Sequence, residues 1–153
     1  MRVVIQRVKE AQVRVGGQVI GQIAQGLLIF LGVAHDDSQA SADYLVKKVT
    51  ELRIFEDAQG KMNVSALDVG AQFLVVSQFT LYGHCDKGRR PSFDEAAEPV
   101  KGEELYNYFV TQLKVSGMKV ETGKFRAMME VSLINDGPVT FVIECKPCDE
   151  SKK

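Results

Sequence analysis

Two short segments hold the residue types from which a reactive or selective site can be built: Ser77-Gln78-Phe79-Thr80-Leu81-Tyr82 and Asn135-Asp136-Gly137-Pro138-Val139-Thr140. In the first, polar side chains crowd the end of an apolar strand, a place where rigid scaffolds hold binding groups. Ser77 and Thr80 are nucleophile types, but a hydroxyl nucleophile needs a base within hydrogen-bond reach. His35 follows an apolar run and His84 falls in a loop, so no Ser-His-Asp pattern emerges. The plainer alternative is an edge strand whose polar residues face water. In the second segment a glycine with free φ and a proline without a donor separate two strand-like runs, which by spacing alone reads as a tight turn. The sharper reading is a rigid Gly-Pro pair, in the cis form open to X-Pro bonds, that presents its carbonyls outward as a gauge of chirality.

The remaining candidates carry less. Cys145-Lys146-Pro147-Cys148 has the spacing of half a zinc site or of a redox pair, but no second pair completes it. Adjacent His84 and Cys85 do not converge readily on one ion, so no metal and no other cofactor is expected, and the three cysteines read as reduced thiols. Lys87, Arg89 and Arg90 form the one tight basic cluster, either a solvated loop or a source of one or two phosphate contacts. Met128 and Met129 default to core packing, with Met129 the better candidate to line an adaptable pocket.

Such residues need a scaffold, and 153 residues with 45% hydrophobic and 25% charged content suffice for one core. A single domain over residues 1–148 and a short charged tail over 149–153 follow. Nineteen Lys and Arg against 20 Asp and Glu leave a net charge of −1, which excludes a broad basic face gripping a long stretch of nucleic acid. Any RNA contact is expected to be small and local. No apolar run is long enough to cross a bilayer, and Met1 to Arg7 turns polar too early for a signal peptide, so a cytoplasmic protein without a membrane partner is expected.

The pattern along the chain supplies the supporting elements. Val3 to Val8 and Gln12 to Val15 read as strands, followed by a hairpin turn at Gly16-Gly17 and a strand over Gln18 to Ala24. Leu27 to Val33 is apolar at nearly every position, as for a strand buried on both faces. Ser38 or Ser41 caps a helix reaching about Phe55, with Tyr44, Leu45, Val49 and Leu52 on its apolar face. Asn63 to Leu67 is a connection, Gln72 to Leu81 a strand and Tyr82 to Glu98 a long loop. A second helix spans roughly Val100 to Ser116, before strands at Lys119 to Thr122, Met129 to Ile134 and Val139 to Cys145. Two main helices against mostly antiparallel strands predict an α+β domain, layered or barrel-like.

Taken together, the segments at 77–82 and 135–140 resemble, in order and separation, the two signature motifs of the D-aminoacyl-tRNA deacylase family. The likeness extends from Met1 to Val8 through Gly26 to Gly32, Asn63, Lys87 to Phe93 and Phe125 to Met129, up to about Pro147. What it implies is a homodimer in which Gly137-Pro138 of one subunit, in a cis peptide, enters the pocket of the other, so that the active site lies at the subunit interface. It implies that Ser77, Gln78, Phe79 and Thr80 line a pocket for the aminoacylated 3′ end of tRNA, with main-chain amides near Phe79 and Thr80 facing the ester carbonyl. Arg7 resembles an arginine holding the Gly-Pro unit from behind, Phe125 and Met129 resemble pocket-lining residues, and Asn135 belongs to the second motif.

The implied chemistry is hydrolysis of D-aminoacyl-tRNA, and of glycine mischarged on alanine tRNA, as a proofreading step. It uses main-chain groups and the neighbouring 2′-hydroxyl of the substrate, with Thr80 an older candidate nucleophile read here as a pocket residue. Two alternatives stand beside this. One is the related branch with a trans Gly-Pro that removes L-alanine from threonine tRNA; Ser-Gln-Phe-Thr at 77–80 resembles the D-specific branch better. The other is a non-catalytic RNA-binding dimer, which calls for more basic surface or stacking aromatics than this Trp-free chain displays.

Overall fold

The structure, a computed structural model, describes residues 1–146. Pro147, Cys148 and the tail at 149–153 lie outside the described residues. The elements run in the order β1 (Arg2–Val15), β2 (Gln18–Ile23), β3 (Gly26–Gly32), α1 (Gln39–Glu51), β4 (Phe55–Glu56), β5 (Met62–Val64), α2 (Ala66–Val69), β6 (Gln72–Ser77), a 3₁₀ turn (Phe79–Tyr82), α3 (Pro99–Val115), β7 (Val120–Thr122) and β8 (Glu130–Glu144). The main sheet has the order β2-β1-β3-β6-β7, with β8 on β1. Pairings of β1 with β2, β3 and β8 are antiparallel, whereas β3–β6 and β6–β7 are parallel, so the sheet is mixed. The parallel pairs follow from the helices, which carry the chain back to the start of the sheet between successive strands. The sheet curls almost into a barrel: a Cβ on Gly21 of β2 would stand 2.6 Å from the Thr122 carbonyl oxygen of β7, so only glycine permits this approach.

The first strand is longer than its pattern suggests. Lys9 and Glu10, both exposed, interrupt the alternation without ending the strand, because a register irregularity against β8 absorbs them. That irregularity also changes the face the strand buries. Val3 and Ile5 enter one core cluster with Leu45, Val49, Phe109 and Leu113 of the helices. Val8, Ala11 and Val13 enter the other, with Leu28, Leu74 and Val76. Strands β3 and β6 feed both clusters, which is why Leu27 to Leu31 and Phe73 to Val76 are apolar at successive positions.

Several sequence expectations are corrected. The first helix ends at Glu51 rather than near Phe55, since Leu52 turns extended (ψ 131°) and Phe55 joins β4, paired with β5. Tyr44 leaves the helix's apolar face for solvent and carries the Lys48 ammonium 5.6 Å from its ring. The connection at Asn63 to Leu67 contains part of β5 and of α2. The strand expected to run to Leu81 stops at Ser77, and the chain then tightens into the 3₁₀ turn. Most consequentially, Asn135 to Pro138 is not a turn between two strands, because β8 continues through it to Glu144. Among the described residues no helix is long and apolar enough to cross a membrane.

Candidate functional site

Where β6 gives way to the 3₁₀ turn, a cavity of about 670 Å³ opens. Its walls are Val76 to Phe79, Phe93, Ala96, Ala97, Pro99, Phe125 to Met129 and Val131. The volume is that of a small-molecule site. Of the sequence candidates the cavity gathers Ser77, Gln78, Phe79, Phe125 and Met129. Thr80 sits just outside it, exposed, its hydroxyl accepting a hydrogen bond from the Gln78 side-chain amide. Gly137, Pro138, Asn135 and Arg7 are not among its walls.

The turn is held from both sides. Gln78 N–H donates to the Leu31 carbonyl (2.8 Å), fixing the end of β6 to β3. The 3₁₀ bonding begins with Leu81 N–H on the Gln78 carbonyl (3.2 Å), so the N–H groups of Phe79 and Thr80 have no acceptor within the turn. Phe79 is 58% exposed and packs its ring against Phe93, with centroids 4.9 Å apart. Beneath the turn, Arg2 donates to the Leu81 carbonyl at 2.5 Å, lies 4.8 Å from the Tyr82 ring centroid and pairs with Glu144 at 3.0 Å. Burial, with Asp37 and Glu144 adding to it, pushes the Tyr82 phenol up, so this hydroxyl is no base.

Titratable groups are scarce at the cavity. Among the described residues lining it, Arg126 alone carries a charge. Neither histidine lines it: His84 pairs with Glu95 at 3.3 Å, and the main-chain N–H of His35 donates to the Glu95 carbonyl at 3.0 Å, both at a separate cavity. No cluster of three or more His, Cys, Asp or Glu side chains suited to a metal occurs among the described residues. Cys85 is exposed, and Cys145 gives its N–H to the Met1 carbonyl at the start of β1.

The second motif forms a bulge of its own. Gln6 pairs with Thr140 and Val8 with Asn135, so Asp136, Gly137, Pro138 and Val139 have only Arg7 opposite them. The Gly137-Pro138 peptide is cis and Gly137 takes φ +132°, a conformation that L side chains rarely adopt. Both residues are exposed, while Val139 is buried and anchors the far end. Arg7, only 4% exposed, braces the bulge from within. Its Nε donates to the Asp136 carbonyl (3.1 Å) and its Nη1 to the Ile54 carbonyl (2.8 Å), with the carboxylates of Asp136 and Glu56 at 3.5 and 3.7 Å. The Asn135 amide is used inside the bulge, donating to Thr140 Oγ1 (3.0 Å) and accepting from Val139 N–H (3.1 Å).

Sequence reasoning did not single out Phe93, Ala96, Ala97, Pro99 or Arg126 as cavity walls. They come from the loop at 82–98, from the first residue of α3 that follows it and from a tight turn after β7, whose packing has no periodic signal. Arg126 has φ +61°, and Ala127 N–H closes the turn on the Lys124 carbonyl at 3.2 Å. Core packing holds for Met129, which lies against the second cluster, but not for Met128, which is 90% exposed at the cavity mouth.

Residues 4–144 match the family model described as D-Tyr-tRNA(Tyr) deacylase. Proteins named D-aminoacyl-tRNA deacylase from Bacillus cereus (strain AH187) and Bacillus anthracis are each 56% identical over 146 residues, 95% of this chain and 100% of theirs. A solved structure described as a c-Myc DNA unwinding element binding protein superposes with TM-score 0.90 at 39% identity, covering 96% of this chain and all of that one (100%). A probable eukaryotic D-amino acid tRNA deacylase shares the fold, with TM-score 0.84 at 17% identity, over 94% of this chain and 98% of its own. With an apolar cavity at the end of β6, a braced Gly-Pro bulge and a match over nearly its whole described length, the chain belongs to the D-Tyr-tRNA(Tyr) deacylase family of hydrolases.

Proposed function

We propose that this protein hydrolyses the ester bond of D-aminoacyl-tRNA, releasing the amino acid and tRNA, and that the cavity at Ser77 to Phe79 receives the 3′-terminal adenosine with its aminoacyl group. The observation that carries the reading is the pairing of a cavity without a side-chain base with two unspent main-chain N–H groups, those of Phe79 and Thr80, at its edge. An aminoacyl ester suits such a site. It is already activated, its ribose carries a 2′-hydroxyl beside the reacting carbon, and the N–H pair can stabilise the developing oxyanion. Phe79, Phe93 and Phe125 offer apolar faces for a base. The same site accepts glycine esters, including glycine mischarged on alanine tRNA, because glycine has no side chain to exclude.

Stereochemical selection falls to Gly137-Pro138, working on the cavity of a second copy of the chain. Three features support this. The unit is exposed, it lies apart from its own subunit's cavity, and the same strand exposes Ile134, Phe141 and Val142, apolar residues suited to burial against a partner. A rigid unit offered to Cα leaves room for hydrogen and excludes an L side chain.

Three measurements test the reading. The purified protein is expected to deacylate D-tyrosyl-tRNA and to leave L-alanyl-tRNA(Thr) intact; the reverse preference would assign it to the other branch, and inactivity on both would support a binding role. Thr80→Ala is expected to lower kcat less than about tenfold, since it removes only the hydroxyl that Gln78 contacts. A substrate with a 2′-deoxy terminal adenosine should instead lose at least about 100-fold, the loss of a positioned reacting group. Abolished turnover in Thr80→Ala with binding intact would make that hydroxyl the nucleophile.

A further inference from the structure

A second cavity, of about 420 Å³, lies between α3 and the segment following β7. Phe125 lines this cavity and the first one, so a single ring divides the two. The tight turn that carries it sends consecutive cations to opposite sides, Lys124 into the second cavity and Arg126 into the first. Lys114, from the last turn of α3, joins Lys124 on the second cavity's wall, with Thr111 and Asn107 one turn and two turns back along the helix. Neither lysine is ion-paired among the described residues, whereas nearby Lys119 is held 3.7 Å from Glu121. Glu103 at the rim is the one carboxylate on the wall, leaving a net positive lining in a chain of net charge −1. The Tyr106 hydroxyl is already spent on the Val75 carbonyl at 2.8 Å, so the wall's uncommitted polar groups are the two lysines, amide and hydroxyl groups, and the Glu103 carboxylate.

We propose that this cavity is the subsite for the RNA backbone immediately before the terminal adenosine. Lys114 and Lys124 hold phosphate oxygens, and Asn107 and Thr111 meet ribose hydroxyls. The proposal rests on the reading that the first cavity takes the adenosine. An ammonium suits a phosphodiester as a point charge, and amide and hydroxyl groups suit the 2′-hydroxyl that marks RNA. Two phosphates are also as much as a near-neutral protein needs to hold a short single-stranded end. Phe125 then separates the terminal base from the backbone that follows.

The test compares two substrates, D-tyrosyl-tRNA and the 3′-D-tyrosyl ester of adenosine, which lacks every phosphate. In the Lys114→Ala/Lys124→Ala double variant, both changes lying on exposed positions, KM for the tRNA is expected to rise about tenfold with kcat unchanged. The slope of log KM against log salt should shrink by roughly 1.4, at about 0.7 per single-strand phosphate contact. Hydrolysis of the adenosine ester should not change. A Lys47→Ala/Lys48→Ala variant on α1 controls for the loss of charge alone and should behave as the unaltered protein. An unchanged KM for tRNA, an equal loss on both substrates or an equal effect in the control would overturn the subsite. If the unaltered protein cleaves neither substrate, the deacylase reading fails first and the subsite fails with it.

Discussion

Replacing Arg7 by alanine is expected to cost about 3 kcal/mol of folding stability and to lower kcat/KM for D-tyrosyl-tRNA about 100-fold in the protein that remains folded. The stability loss comes from what the guanidinium leaves behind. The Asp136 and Ile54 carbonyls lose their donor in a place where Arg7 is 4% exposed, and each buried acceptor left unsatisfied costs about 1–3 kcal/mol. The carboxylates of Glu56 and Asp136 contribute less, because they are partly solvated. The activity loss has a separate origin, since without Arg7 nothing stands opposite Asp136 to Val139 in the ladder and the bulge is free to shift. Arg7→Lys should recover part of the stability and little of the activity, because one ammonium cannot serve both carbonyls in the geometry of a guanidinium fork. Urea denaturation and deacylation at a temperature where both variants are folded measure the two effects. A stability change below about 1 kcal/mol would show that the bulge is held by something else.

Gly137→Ala is expected to leave the fold nearly intact and to weaken selectivity. At φ +132° an L residue is strained by about 1–3 kcal/mol. The added Cβ would also stand 2.7 Å from Val139 Cγ2, 3.0 Å from the Val139 nitrogen and 3.3 Å from Arg7 Nη2. Val139 is buried and Arg7 braced, so the exposed Gly-Pro peptide is what must move. A displacement near 1 Å at a positioning element is worth about 100-fold in rate. The D-substrate should slow by that amount while the preference for D over L narrows. Full activity with unchanged selectivity would remove Gly137 from the mechanism.

What the sequence disclosed depended on how local the cause was. The apolar run of β3 and the amphipathic α3 are written in neighbouring residues, and both formed close to where their patterns lie. By spacing alone Asn135 to Pro138 suggests a turn, because its real partner is remote. Arg7 stands 129 positions away and replaces the ladder bonds that Gly-Pro forgoes. The likeness of 135–140 to a family motif marked the segment as important where spacing alone favoured a plain turn. Ser77 to Phe79 were legible as polar residues at a strand end, and the cavity they border supports that reading. Phe93 and the segment Ala96 to Pro99 were not, because a long loop brings them to the same place through packing that no periodicity records.

Discrimination between D and L esters is read from initial rates of hydrolysis of D-tyrosyl-tRNA and L-tyrosyl-tRNA by the purified protein under the same conditions. Rapid loss of the D-ester is expected, with a rate on the L-ester at least about 100-fold lower, a difference of about 2.7 kcal/mol at the transition state. Comparable rates on the two esters would contradict the proposed stereochemical selection.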